Sequence, residues 1–79
     1  MTIEEEIQYQ KNLINEKLRD IKIYKLAIKG LIGEQPDNVV EILIAIAQKV
    51  VTEISTIETS DKIIDQLKVR LEGKNGESI

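Results

Sequence analysis

The sequence predicts an all-α fold: an antiparallel helical hairpin, with helices at about 2–30 and 38–72, that dimerises into a four-helix bundle. Three observations carry this. Apolar residues recur at helical spacing through both halves of the 79-residue chain. The one proline, Pro36, lies near the middle and marks a turn between them. The second half carries more apolar surface than one hairpin seam can use, and a chain this small gets only about 3–5 kcal/mol from its own core. With no cysteine to staple the fold, association with a second copy is the remaining source of stability.

The first helix is expected from residue 2. Thr2 followed by Glu5 has the spacing of a capping box, and Glu4, Glu5 and Glu6 suit the positive end of the helix dipole. Lys22, Lys25 and Lys29 suit the other end. Ile7, Ile14, Ile21 and Ile28 form a row at seven-residue spacing, while Gln10 and Lys17 fall in the companion row, so the seam is not a pure coiled-coil stripe. Gly30 is the expected stop, with Gly33 the other candidate, because glycine takes the left-handed conformation after a helix without a Cβ clash. The segment GEQPD at 33–37 is the expected connection, and Asp37 the expected cap of the next helix.

The second helix carries its own seven-residue row: Leu43, Val50, Ile57, Ile64 and Leu71. An antiparallel hairpin sets Ile28 against Leu43, Ile21 against Val50, Ile14 against Ile57 and Ile7 against Ile64. These eight residues are the expected hairpin core. The segment STIETS at 55–60 competes for backbone hydrogen bonds. A break there gives the alternative, a three-helix bundle whose last helix Ser60 would cap. The row passes through this segment in phase, which favours one continuous helix. Residues 1–72 then form a single helical domain, and GKNGESI at 73–79 a flexible tail.

The surplus apolar surface lies in VVEILIAIAQKVVTEI, residues 39–54. The seam uses one stripe, leaving Val40, Ile44, Ala47 and Val51 on an adjacent face. A helix apolar on two sides is covered on two sides, so these four residues are the expected oligomer interface, and closed two-fold symmetry makes a homodimer its simplest form.

Composition narrows the chemistry. With no His and no Cys, the commonest metal ligands and the usual neutral-pH base are missing. Glu41 and Glu53 have no Glu-x-x-His partner of the kind a bundle di-metal site uses. Thr52, Ser55, Thr56, Thr59 and Ser60 have no adjacent imidazole to activate a hydroxyl. The GLIG segment at 30–33 lacks the lysine and hydroxyl of a phosphate loop. The expectation is therefore no catalytic residue, no cofactor, no metal and no enzyme. A net charge of −3 and two aromatic residues disfavour nucleic acid. The Lys22, Lys25 and Lys29 stripe is what a weak nucleic-acid-binding regulator would use. The same stripe and Tyr9 are the expected surface for an unidentified protein partner. The acidic start lacks the features of a signal peptide, and the longest unbroken apolar run, 42–47, is far short of the about 20 residues of a membrane span. The expectation is a cytoplasmic chain without membrane contact.

Two helices joined through a Pro/Asp turn, EQPDNVVEIL here, resemble the needle subunits of type III secretion, although those need a terminal helix where this chain has GKNGESI. A compact dimeric hairpin also resembles small adaptor proteins encoded by archaeal viruses and other mobile elements. The first resemblance implies a self-assembling structural subunit, secretion-needle-like or a virion component. The second implies a dimeric adaptor or regulatory subunit from a virus or mobile element. Both concern shape and imply no site residue. The expected function is a non-enzymatic protein–protein interaction module.

Overall fold

The computed structural model describes residues 1–77, with side chains through 73. Two helices, α1 (Ile3–Glu34) and α2 (Val39–Glu77), pack antiparallel as a hairpin 65 Å long and 17 by 14 Å across. Among the described residues there is no strand.

Thr2 caps α1: its hydroxyl oxygen accepts from the Glu5 N–H at 3.1 Å and its hydroxyl donates to Glu5 Oε1 at 3.1 Å. The far end corrects the expectation. The helix does not stop at Gly30 or Gly33 but runs through both to Glu34. Gln35 ends it, in the left-handed conformation (φ 47°, ψ 59°), with its N–H donating to the Leu31 carbonyl at 2.8 Å. Pro36 is the physical reason, because its ring expels the preceding residue from the right-handed helical region. A glycine can end a helix but does not oblige it to end. Neither Gly30 nor Gly33 has a positive φ, and a Cβ at either would meet nothing within 4 Å. Gly30→Ala should therefore stabilise the hairpin by roughly 0.5–1 kcal/mol, through lower entropy of the unfolded chain. A thermal melt should show a midpoint a few degrees higher; a lower midpoint would contradict a helical Gly30.

The turn is short. The Val39 N–H reaches the Pro36 carbonyl at 3.0 Å, and Ile42 N–H bonds to the Asn38 carbonyl at 3.1 Å. Asn38 rather than Asp37 therefore occupies the cap position of α2. The helix then continues without a break through 55–60, which overturns the three-helix alternative. The hydroxyls that compete for backbone bonds do so without leaving the helix. Thr52 donates to the Gln48 carbonyl at 3.1 Å, Thr56 to Thr52 at 3.2 Å and Thr59 to Ser55 at 2.9 Å, each one turn back. α2 also runs past 72, through Gly73 to Glu77. The part of the expected tail at 78–79 lies outside the described residues.

None of the eight expected core residues is exposed. Ile7 and Ile64 are buried, and Ile14, Ile21, Ile28, Leu43, Val50 and Ile57 are half-buried. The tightest packing is at the open end, where Ile7, Ile64 and Leu67 are buried with Ile3, Ile14 and Ile63 against them. Little else is enclosed. The accessible surface is 6182 Å² for a 9.0 kDa chain, against about 4,900 Å² for a compact monomer of that mass.

Candidate protein interface

The two companion rows define the seam's polar layers. Along α1 that row is Ile3, Gln10, Lys17, Tyr24 and Leu31; along α2 it is Val39, Ile46, Glu53, Ser60 and Leu67. Antiparallel pairing sets Gln10 at the level of Ser60, and Lys17 at the level of Glu53. Gln10 and Ser60 are both buried, and Gln10 Nε2 donates to Glu6 Oε1 at 3.1 Å. Lys17 Nζ lies 3.5 Å from Glu53 Oε2, with side chains 24% and 14% exposed. That is ion-pair range but not a hydrogen bond, and the shielded Oε2 has no hydrogen-bond partner. Lys17 and Glu53 depend on each other: removing one leaves the other charge half-enclosed and unpaired. Lys17→Met should cost about 1–3 kcal/mol, less than a fully buried pair because both side chains keep some solvent. The double variant Lys17→Met with Glu53→Leu should recover most of the loss. Denaturant melts of the four proteins of the cycle would show it; a double variant weaker than either single one would contradict it.

The hairpin has two broad faces. On one, Tyr9, Gln10 and Leu13 of α1 and Ser55, Thr56, Thr59, Ser60 and Ile63 of α2 line a groove of about 370 Å³. Tyr24, Ala45, Gln48, Lys49, Thr52 and Glu53 line a second groove, likewise between the two helices. Most of the residues lining these two grooves are polar.

At about 100° per residue, Leu18, Lys22 and Lys25 sit on the other flank of the α1 seam from Tyr9 and Leu13. By the same rotation Val40, Ile44, Ala47 and Val51 sit on the other flank of the α2 seam from Thr56 and Ile63. These residues share the second face. Here Val40 is 64%, Ile44 54% and Val51 66% exposed. Ala47 is exposed between them, and Ile44, Ala47 and Val51 with Gln48 and Thr52 line a shallow, mostly apolar hollow. Ile54, also exposed, continues the stripe one step further. The spacing sets both Ile46 and Ile54 beside the α2 seam row, but Ile46 is half-buried and Ile54 is exposed.

The α1 side of this face is basic rather than apolar. Lys22 and Lys25 are exposed and line a depression with Asn15, Leu18, Arg19 and Ile21; Lys29 is exposed one turn on. Tyr9 is exposed in the groove of the opposite face. The four residues expected to form a partner surface therefore do not come together: the lysines border the apolar stripe, and Tyr9 faces away from it.

Two features of the hairpin lie outside these expectations. The Lys17–Glu53 level is marked in the sequence by the seven-residue spacing of Ile46, Glu53 and Ser60, beside the row of Leu43, Val50 and Ile57. Ile23 and Leu26 form a small exposed apolar pair on α1; at about 100° per residue they fall on the side of the helix away from the seam.

Among the described residues, no three His, Cys, Asp or Glu side chains are grouped to hold a metal ion, and no helix is long and apolar enough to cross a membrane. No family model, no curated protein and no solved structure matches the chain.

Proposed function

We propose that the chain is a non-enzymatic protein–protein interaction module, a small dimeric adaptor or regulatory subunit. Two hairpins associate through Val40, Ile44, Ala47 and Val51 into a four-helix bundle. The observation that carries this reading is the exposed stripe of branched apolar side chains on α2, on a hairpin that encloses so little of its own. A contiguous apolar patch rimmed by polar residues is the usual mark of an interface. Once a second copy covers the stripe, the groove beside Tyr9 on the opposite face remains open to a different protein, and the lysine stripe of α1 lies at the rim of the covered face. Lys22, Lys25 and Lys29 suit an acidic partner, whose binding would weaken with salt. The reading is tested by the mass of the chain in solution over a dilution series, and a monomer at every concentration would reject it.

One observation favours a second reading, a self-assembling structural subunit. Ile23 and Leu26 are exposed on α1, away from the α2 stripe. A patch on one side that met a different patch on a neighbour would make a head-to-tail contact, which grows without closing. Mass that rises steadily with concentration, and Leu26→Lys arresting that growth, would support it. A mass that holds at two copies would exclude it.

A further inference from the structure

We infer that the second copy docks antiparallel on the α2 stripe, with the two-fold axis passing through Ala47; this rests on the dimer reading above. The stripe is balanced about that residue. Val40 and Ile54 lie seven residues to either side, and Ile44 and Val51 three before and four after. An antiparallel partner therefore sets Val40 against Ile54, Ile44 within one residue's rise of Val51, and Ala47 against itself. Every level pairs branched side chains except the centre, where two small residues let the helix axes come close. The matched length from 40 to 54 is about 21 Å.

A parallel partner would also pair apolar with apolar, so the stripe alone does not choose. Charge does. Continuing past Ile54 by four, seven and eleven residues, the same flank of α2 carries Glu58, Asp61 and Asp65, all exposed. In a parallel dimer each of the three would face its own copy, and like charges placed across an interface oppose association. In the antiparallel dimer they project beyond the partner's α2, past its start at Val39, and stay in water. The apolar stripe stops where the acidic run begins, so the contact ends there too. The antiparallel contact spans the turn half of each hairpin and leaves both open ends free, pointing in opposite directions.

The test places one nitroxide label on Lys62→Cys, the sole cysteine of the variant. Lys62 is exposed and lies fifteen residues from Ala47. Two labels about an axis at Ala47 are then about 45–50 Å apart, from twice the helical rise between them. A parallel dimer brings them within roughly 30 Å, since packed helix axes are about 8–10 Å apart. Pulsed electron paramagnetic resonance reads the distance, and light scattering on the same sample reads the mass. A dimer with the long distance supports the antiparallel arrangement. A dimer with the short distance overturns it and leaves the dimer standing. A monomer overturns both.

Discussion

Ile64→Ala unfolds the hairpin. Ile64 is the most enclosed of the three buried apolar side chains, packed with Ile7 and Leu67 at the open end. Truncating a buried isoleucine costs about 2–5 kcal/mol, from lost transfer energy and the cavity left behind. A chain of this size has roughly 3–5 kcal/mol of core stability to lose. Circular dichroism should show the helical signal falling at room temperature, or a melting midpoint lowered by more than ten degrees. The loss should shrink as concentration rises, because association favours the folded form. Ile23→Ala is the control. Ile23 is exposed, and its removal should change stability by no more than about 0.5 kcal/mol. Equal effects from the two would mean that the open end is not where the hairpin is held together.

If two copies associate as proposed, Ile44→Glu should separate them and leave each hairpin folded. In one hairpin Ile44 is exposed, so a carboxylate there disturbs nothing within it. In the dimer it would be enclosed against apolar side chains without a partner, at a cost of about 2–5 kcal/mol. That weakens association by about thirtyfold or more. The mass should fall to that of one chain while the helical signal persists. Thr59→Glu puts the same charge on the opposite face, where Thr59 lines the groove beside Tyr9, and should leave the mass unchanged. An Ile44→Glu variant with the mass of the parent chain would remove the α2 stripe from the interface.

The hairpin was legible because its information is periodic. Ile7, Ile14, Ile21 and Ile28 answer Ile64, Ile57, Val50 and Leu43 at one shared spacing, the short connection makes the two helices antiparallel, and that phase carries through the Ser/Thr segment where local propensity argues for a break. What was hard to read was local. Gly30 and Gly33 permit a stop without requiring one, and Pro36 acting on Gln35 sets the end instead. Gly73 again permits a stop that α2 does not take. The Ile46 and Ile54 positions differ by about 80° around the helix, on either side of the seam, and which one turns inward depends on where α1 crosses. That crossing is fixed by packing along the whole seam rather than by any residue nearby.

The candidate interface was legible for a different reason. Val40, Ile44, Ala47 and Val51 repeat at alternating steps of four and three, the mark of a second helical seam beside the first. The lysines and Tyr9 carry no such phase. Each is a single polar or amphipathic side chain, and only the packed hairpin decides that they fall on different faces.

The most direct measurement is the absolute mass of the unmodified chain by light scattering across about a hundredfold dilution. The exposed α2 stripe predicts twice the 9.0 kDa of one chain, giving way to one copy only at the lowest concentrations. A mass of one chain throughout would mean that the stripe does not bind its own copy.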